Sequence, residues 1–288
     1  MLKNLAKKFL KNPLRFQWII IYKFSQGIST SFSTFTEIIP PKDRFWADPF
    51  IIFKDGKYHL FFEEYLKTTQ KGHLSVLTLS PDGILKKPIK IINENYHLSF
   101  PSIFEYNNKF YNIHGTFDND KSYIEIFSSE NFPYIWKKDK ILSIDIPLVD
   151  TTIFFHDGLW WLFGCGANYD GTSNSNKLYL FYSENPISDK WISHPLNPVV
   201  DDVRKARPAG KIFKQNNEII RPSQNCDQIY GNSLLFNKIS KLNTKEYEEI
   251  TIKSFLPNWK NNIIGLHTFN YDANCSVADI RIKRRLLF

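Results

Sequence analysis

Apolar and polar positions alternate along the chain in a unit that predicts a β-hairpin. In residues 48–62 an aspartate precedes an apolar run, an Asp-Gly pair follows seven residues later, and an aromatic run ends the unit. Residues 150–163 repeat this pattern, and residues 100–113 and 207–220 repeat it with Asn-Asn in the turn. A looser fifth copy starts at His267. A two-residue Asp-Gly turn between hydrophobic runs is a strong hairpin signal.

The spacing of the five copies predicts a β-propeller. They begin at positions 48, 100, 150, 207 and 267, at intervals of 50 to 60 residues. The first three intervals each hold a further apolar run, which completes the length of one four-stranded blade. The last blade lacks strands, and residues 16–22 are predicted to complete it, because ring closure removes exposed sheet edges. We therefore predict an all-β fold, with residues 16–288 forming a single five-bladed β-propeller. A two-sheet sandwich is the competing architecture, but it does not require a regular period.

Residues 1–15 have a different pattern. Apolar residues at helical spacing, with lysines between them, predict a short basic amphipathic helix over residues 2–12 that ends before Pro13. Such a helix could contact an anionic membrane, or it could pack on its own domain. The longest apolar run near this end, Trp18 to Tyr22, is too short for a signal peptide or a membrane span. A cytoplasmic location, at the inner face of the membrane if the helix binds there, is the expectation.

Composition narrows the classes of function. The net charge of +8 is compatible with nucleic acid, anionic lipid or a phosphorylated sugar, and equally with a solubilising surface. No nucleic-acid-binding signature is present, so no nucleic-acid partner is predicted. The three cysteines lie far apart without a CxxC pair, which fits a reducing compartment and gives no zinc spacing. We predict neither a metal nor a cofactor.

The five anchor positions predict a site on the propeller axis. The first strand of each blade lines the central channel, so Asp48, residues 99–101, Asp150, Arg207 and His267 should converge there. Carboxylates in such a funnel can act as a base, or stabilise positive charge that develops on a sugar. We predict Asp48, Asp150 and His267 as catalytic residues. These three residues and Arg207 also have structural alternatives. The aspartates could cap turns, Arg207 could form an ion pair, and His267 could be a core residue.

Further side chains are predicted to contact a substrate. Trp160 and Trp161 point to opposite faces of one strand, so at most one of them can stack on a sugar ring. Glu63 and Glu64 alternate in the same way, so one of the two is expected to point inward. The predicted substrate-binding residues are Arg44, Trp46, Glu64, His114, Trp161, Arg207, Arg221 and Gln224.

Several long motifs carry a resemblance to a known family. They are RFWADP at 44–49, ARPAG at 206–210, RPSQNC at 221–226, YG at 230–231 and GLHT at 265–268. The chain resembles the propeller module at the N-terminus of glucosamine inositolphosphorylceramide transferases. It resembles more distantly the furanosidase superfamily of glycoside hydrolases, which includes arabinanases and invertases. The closer resemblance implies a role in surface-glycan biosynthesis, with a glycosyltransferase as an expected partner.

The more distant resemblance implies roles that this chain fills only in part. The arabinanase-like general base and orienting aspartate would fall on Asp48 and Asp150. The place of their general acid is taken by Arg207, which stays protonated and cannot donate a proton. The acid that relatives of the closer module carry at the end of the second blade's second strand is replaced by His114. These departures disfavour simple hydrolysis.

We therefore expect a carbohydrate-active propeller that transfers or binds a sugar carrying an anionic group such as a phosphate. Arg207, Arg221 and Arg44 would clamp that group through paired hydrogen bonds. One alternative is a furanosidase-like hydrolase that uses Asp48, Asp150 and an acid such as Glu64. A second alternative is a non-catalytic, lectin-like module that presents a glycan to a partner enzyme.

Overall fold

The computed structural model describes residues 16–284 except 119–120, 143 and 168–172. The described residues form 22 β-strands and one 3₁₀ turn at Phe32–Thr34. The strands are arranged in five separate antiparallel sheets, which confirms the predicted all-β, five-bladed propeller. The amphipathic helix predicted over residues 2–12 lies outside the described residues. No helix in the described part of the chain is long and apolar enough to span a membrane.

The strands follow the chain around the ring. Two strands precede the first blade, β1 (Phe16–Phe24) and β2 (Thr36–Ile38). Blade 1 contains β3 (Arg44–Lys54), β4 (Lys57–Leu66), β5 (Lys71–Ser80) and β6 (Gly83–Ile92). Blade 2 contains β7 (Ser102–Tyr106), β8 (Lys109–Asp118), β9 (Lys121–Asn131) and β10 (Ile135–Leu142).

The remaining blades are less regular. Blade 3 contains β11 (Leu148–His156), β12 (Leu159–Ala167), β13 (Ser173–Ser183), β14 (Ile192–Ser193) and β15 (Val200–Asp201). Blade 4 contains β16 (Arg207–Pro208), β17 (Phe213–Gln215), β18 (Glu218–Asn225), β19 (Ser233–Leu242) and β20 (Tyr247–Phe255). Blade 5 contains β21 (Ile263–Asp272) and β22 (Cys275–Lys283), to which β1 and β2 are added in the order β2-β1-β22-β21.

Strand β1 closes the ring. It pairs antiparallel with β22 over nine residue pairs, from Phe16 opposite Lys283 to Phe24 opposite Cys275. Ile19, Ile20 and Ile21 on this strand are almost fully buried, so the closure is stabilised by apolar packing as well as by backbone hydrogen bonds. The register also places Phe16 and Lys283 side by side at one end of these two strands.

The inner hairpins turn as the sequence predicts. Both turn residues have positive φ in the pairs Asp55-Gly56, Asn107-Asn108, Asp157-Gly158 and Asn216-Asn217. Positive φ at both central positions matches the right-handed twist of the flanking strands, and Asn, Asp and Gly tolerate it best. These turns lie at the far end of the axis from the candidate site.

The apolar core lies between neighbouring blades. Phe50 and Phe61 of blade 1, for example, pack against Phe100 and Phe110 at the start of blade 2. Equivalent clusters fill the other interfaces. Each blade is therefore stabilised by its neighbours, and the ring holds the inner strands in fixed positions around the axis.

Candidate active site in the central funnel

Backbone irregularities turn the anchor residues toward the axis. The β3–β4 register shifts between Ala47 and Phe50, and the β11–β12 register shifts in the same way beside Asp150. Asp48, Phe100 and Asp150 have φ of 52°, 51° and 50°. A bulge bends its strand and re-aims one side chain, and aspartate adopts the left-handed region more readily than most residues. The pattern recurs in blades 1 to 3, at the positions that the sequence repeat aligned.

Asp48 is held at the centre of a buried network. Its Oδ1 accepts a hydrogen bond from the Thr268 hydroxyl at 3.0 Å, and its Oδ2 accepts one from the Phe100 N–H at 3.2 Å. The backbone N–H of Asp48 donates to Oδ2 of Asp279 at 2.8 Å. His267 Nε2 lies 3.5 Å from Asp48 Oδ1. Both carboxylate oxygens are therefore positioned by the protein.

Asp279 on β22 orients the imidazole of His267. Its Oδ1 lies 2.6 Å from His267 Nδ1 and also accepts the Thr268 N–H at 2.9 Å. Because this carboxylate only accepts, Nδ1 must carry the proton. Burial lowers the pKa of His267, but the Asp279 carboxylate and its hydrogen bond outweigh burial, and the pKa lies above its usual range. The imidazole is thereby favoured as a cation beside Asp48.

Asp150 and Arg207 form the second half of the site. Arg207 Nε donates to Asp150 Oδ2 at 2.6 Å, and Gln224 Nε2 donates to the same oxygen at 3.2 Å. The guanidinium also reaches Ser175 Oγ at 3.3 Å and lies 4.8 Å from the ring centre of Tyr230. Asp150, Arg207 and Gln224 are thus brought together. Asp150 is fixed in one orientation, and Arg207 is partly neutralised by it.

Glu63 on β4 is the inward-facing member of the glutamate pair. It lies opposite Ala47, the residue before Asp48, in the β3–β4 register, and its Oε1 lies 3.5 Å from Nε2 of His97. The Gly72 N–H donates to His97 Nδ1 at 3.0 Å, so His97 presents its protonated Nε2 to Glu63. A Cβ on Gly72 would lie 2.6 Å from the Leu98 carbonyl oxygen and 2.8 Å from Glu63 Oε1, so a glycine is required there.

The carboxyl groups of Asp48 and Glu63 differ in their affinity for protons. Burial raises the pKa of Asp48 to about 6, although the neighbouring His267 opposes the shift. Burial, together with the charges of Asp48 and Asp150, raises the pKa of Glu63 well above its usual range. Two neighbouring buried carboxyl groups do not both ionise readily, so the pair favours a shared proton, which the stronger upward shift places on Glu63 rather than on Asp48.

Aromatic rings enclose the site on the side of blade 5. The indole of Trp18, on β1, stacks on His267 with ring centres 4.0 Å apart, and Tyr230 meets the same imidazole edge-on at 5.4 Å. Tyr230 is 40% exposed and forms part of the rim. Gly231 has φ +66°, and a Cβ there would lie 2.9 Å from both His267 and Trp18.

Glu64 does not face the funnel, which corrects its predicted role as a substrate contact or acid. Its Oε1 accepts hydrogen bonds from Arg44 at 2.8 Å and from the Trp46 indole at 3.2 Å. Its Oε2 accepts from Ser75 at 2.7 Å and lies 3.1 Å from His73 Nε2. Burial alone would raise the pKa of Glu64, but these hydrogen bonds lower it to about 2. Arg44 and Trp46 are engaged in the same network, so neither is free to bind a sugar as predicted.

Arg221 is also placed elsewhere than predicted. It is fully buried and forms a two-pronged ion pair with Glu249, with both N···O distances 2.7 Å. It also donates to the Lys205 carbonyl at 2.7 Å. Neighbouring strand positions point to opposite faces, so Gln224 reaches Asp150 while Arg221, three residues away, packs between the strands of blade 4 and the adjacent loop. The expected clamp of several arginines is therefore reduced to Arg207.

Trp161 and His114 belong to the packing of their blades. Trp161 is 1% exposed within an apolar cluster, and its indole donates to the His156 carbonyl at 3.1 Å. His114 is fully buried, lies 3.3 Å from Glu125 and stacks on Phe127. Neither side chain serves as the sugar contact that the sequence predicted.

The sequence analysis missed three residues of the site. Glu63 was recognised only as one of an alternating pair, because strand direction alone does not say which member faces the axis. Asp279 and Trp18 lie on the second and third strands of blade 5, outside the aligned anchor positions. Their signal would have been the strand pairing within blade 5, since Asp279 approaches His267 through the β21–β22 hairpin and Trp18 through the register of β1 on β22.

The positions of the buried acidic and imidazole groups indicate whether the site could bind a metal ion. Within the described residues, Asp48, His267 and Asp279 offer three ligand atoms within 4.8 Å of one another. Protein donors already occupy both oxygens of Asp279 and both oxygens of Asp48. A cation would have to displace these hydrogen bonds. The carboxylates are therefore better placed to orient the imidazole of His267 than to bind a metal ion.

The far end of the channel is filled by polar side chains. Lys211 Nζ donates to the Ile51 carbonyl at 3.3 Å, and Asn270 donates to the Pro49 carbonyl at 2.6 Å. The Lys211 N–H in turn donates to Asn270 Oδ1 at 2.7 Å. The carboxylates lie toward the other end, where the inner strands β3, β11, β16 and β21 begin. We refer to that end as the funnel side.

Comparison with known proteins matches this architecture. The chain is 31% identical over 236 residues to glucosamine inositolphosphorylceramide transferase 1 of Arabidopsis thaliana, covering 80% of this chain and 30% of that protein. It is 30% identical over 253 residues to the protein of that name in Oryza sativa subsp. japonica, covering 84% and 34%. The chain thus spans about a third of the length of these relatives.

A solved structure gives the same fold. Zg3597, a family 117 glycoside hydrolase of Zobellia galactanivorans, superimposes with a TM-score of 0.58 at 13% identity, covering 94% of this chain and 90% of that one. Similarity at this identity shows the propeller alone. The family model described as "Glucosamine inositolphosphorylceramide transferase 1, N-terminal" matches residues 28–271, most of the chain, and the chain therefore belongs to that family.

Proposed function

We propose that the funnel binds a sugar and catalyses acid–base chemistry at its anomeric carbon, as a glycosyl-transferring step of surface-glycan assembly. The observation that supports the proposal is the position of Glu63 beside Asp48, two buried carboxyl groups on paired strands, with the pKa of Glu63 raised well above its usual range. Neighbouring carboxyl groups with divergent pKa values are the usual basis for dividing acid and base roles in enzymes. In this proposal Glu63 takes the role of general acid, which Arg207 at the fourth-blade position cannot fill.

The proposed step transfers two protons, one from the protein to the leaving group and one from the acceptor to the protein. Glu63 donates its proton to the oxygen of the leaving group as the bond from the anomeric carbon to that oxygen breaks. Asp48 accepts a proton from the incoming hydroxyl as the new carbon–oxygen bond forms, and it stabilises the positive charge on the sugar ring. Asp150, fixed by Arg207 and Gln224, accepts hydrogen bonds from sugar hydroxyls.

A phosphate on the sugar or leaving group is the finer part of the proposal. Arg207 is 12% exposed, lies at the funnel beside the rim residue Tyr230, and keeps its charge. One guanidinium, partly neutralised by Asp150, supports a single charge-assisted contact with an anionic group rather than an encircling clamp. A partner glycosyltransferase and a location at the inner face of the membrane remain proposals, motivated by the greater length of the relatives and by the basic pattern of residues 1–15.

A binding screen followed by turnover tests the proposal. Nucleotide sugars, phosphosugars and neutral oligosaccharides are titrated by calorimetry, and each ligand that binds is then incubated with candidate acceptors. We expect Glu63→Gln to retain binding and to lose about 100-fold or more in turnover, the usual effect of removing a general acid. Glu105→Gln, on the exposed surface of β7, is the control.

A second pair of variants tests whether the funnel prefers a sugar that carries an anionic group. Arg207→Ala should reduce the preference for phosphosugar over neutral sugar about tenfold, as loss of one charge-assisted hydrogen bond predicts. Arg204→Ala, three residues away and 65% exposed, should not. Turnover by Glu63→Gln within twofold of the wild type would contradict the acid role. Sugar binding without turnover of any ligand would instead identify a non-catalytic, glycan-presenting module.

A further inference from the structure

Both ends of the described chain leave the propeller on the funnel side. Phe16, at the start of β1, pairs with Lys283, at the end of β22. Ile263, where β21 begins, lies opposite Ile282. The Gln17 side chain donates a hydrogen bond to the Arg44 carbonyl at 2.6 Å, which holds the start of β1 against the start of β3. Residues 1–15 and 285–288 therefore continue from adjacent positions beside the funnel.

Basic residues surround this point of departure. The funnel-side basic surface consists of Lys42, Lys67, Lys71, Lys283 and Arg284. These residues donate hydrogen bonds to neutral oxygens: Lys67 donates to the Lys42 carbonyl at 2.7 Å, and Arg284 donates to Gln17 and to the Pro40 carbonyl.

Nearby acidic groups do not neutralise this surface. Asp43 is paired with Arg44 at 2.9 Å, and the Glu94 carboxylate lies 3.6 Å from Lys138. Burial and the positive charge of Arg284 lower the pKa of Lys67 and outweigh the opposing effect of the Asp43 carboxylate, which is consistent with neighbouring positive charges at this surface. Crowded cations of this kind attract an extended anionic surface.

The two continuing segments share one chemistry. Residues 1–15 read MLKNLAKKFLKNPLR and residues 285–288 read RLLF, so both combine basic residues with Leu and Phe. Basic residues beside large apolar residues are the composition that binds anionic lipid interfaces, because the cations meet the headgroups while the apolar side chains enter the acyl boundary. A soluble acidic polymer would need the cations but not the apolar residues.

We infer that the funnel-side basic surface docks on an anionic phospholipid membrane, so that the funnel opens toward the lipid. The carboxylates then meet sugars presented at the membrane surface. The inference concerns a surface distinct from the funnel residues and is tested without any sugar. Its failure therefore leaves the proposed chemistry standing, and failure of that chemistry leaves the docking surface standing.

Sedimentation of the full chain with vesicles tests the inference. The funnel-side variant carries Lys42→Glu, Lys67→Glu and Lys283→Glu. The matched control carries Lys57→Glu, Lys109→Glu and Lys214→Glu, three exposed positions at the opposite end of the axis. Both variants change the net charge equally, and circular dichroism with thermal unfolding establishes that both are folded.

We expect the wild type and the control variant to bind phosphatidylserine-containing vesicles and to leave pure phosphatidylcholine vesicles unbound. The funnel-side variant should bind at least about tenfold more weakly, because each cation near the headgroups contributes to affinity. Added salt should weaken wild-type binding. Equal binding by the two variants, equal binding to both kinds of vesicle, or full displacement of vesicles by soluble polyglutamate would each overturn the inference.

Discussion

Glu63 and Glu64 are consecutive residues of β4 whose conversion to glutamine should shift stability in opposite directions. Glu64 receives hydrogen bonds from four side chains that lower its pKa, whereas burial and the charge of Asp48 raise the pKa of Glu63. Glutamine has nearly the same shape as a protonated glutamate. Glu64→Gln therefore removes a stabilised anion, and Glu63→Gln removes only a group whose ionisation is unfavourable.

The magnitude for Glu64 follows from its pKa. A fall from 4.5 to about 2 corresponds to roughly 3 kcal/mol of stability at neutral pH, and partial screening by solvent reduces this to about 2 kcal/mol. Because the folded-state pKa is depressed, this stability is fully present above pH 4.5 and is lost as the pH falls toward 2. Glu64→Gln should thus be about 2 kcal/mol less stable than the wild type at pH 7, and nearly equal to it in strong acid.

The sign is reversed for Glu63. Its folded-state pKa is raised, so it costs no stability below its unfolded pKa, and the wild type loses stability as the pH rises above that value. The loss accumulates at about 1.4 kcal/mol per pH unit until the folded-state pKa is reached. Glu63→Gln cannot ionise, and its advantage over the wild type should grow as the pH rises above about 4.5, the usual pKa of glutamate.

Urea denaturation between pH 3 and pH 8, followed by tryptophan fluorescence, measures both effects. The reasoning requires two free-energy differences of opposite sign at pH 7, together with opposite trends with pH. If Glu63→Gln were the more destabilising change, or if Glu64→Gln had no effect, the assignment of inward and outward faces on β4 would be refuted. Glu105→Gln controls for the loss of one exposed carboxylate, with a change expected within about 0.5 kcal/mol.

Three further predictions concern the funnel and its support. Burial raises the pKa of Asp48 to about 6, so kcat/KM for any substrate should rise as the pH increases through about 6 and fall again where the acid partner loses its proton; a flat profile from pH 5 to 8 would contradict the base role. Gly231→Ala should cost about 1–3 kcal/mol in urea denaturation, because its Cβ would overlap the stacked rings, whereas Gly158→Ala, with open space around it, should cost only its backbone strain of about 1 kcal/mol. Arg221→Ala should destabilise the fold by about 3–5 kcal/mol, since Glu249 is left buried without its partner, and any remaining folded protein should bind sugar with unchanged affinity.

The predictions from sequence succeeded where local chemistry decides the structure. Asp-Gly and Asn-Asn pairs adopt positive φ for reasons internal to the turn, so the hairpins and their period could be found by aligning four copies. Asp48, Asp150, Arg207 and His267 share one phase of that period. The fold brings Arg207 to Asp150 and His267 to Asp48 because every inner strand faces the same axis.

The predictions failed where the choice depends on a partner from another strand. Arg221 was expected beside Arg207, but Glu249 on β20 offers it a two-pronged ion pair inside blade 4. Trp161 was expected at the funnel, but its face of β12 packs between blades 3 and 4. The period of two along a strand limits each pair to opposite faces without saying which face lies inward.

The repeat, the number of blades, the turns and the anchor residues could all be predicted from the amino-acid sequence. These features depend on residues close together in the chain, where φ preferences and alternation act directly. Only the tertiary structure decided the protonation of the site. Glu63 contacts Asp48 because of the β3–β4 register, and Asp279 reaches His267 through the β21–β22 hairpin. A pKa depends on burial and on charges brought from distant positions, so the raised pKa of Glu63 could not be predicted from the local sequence.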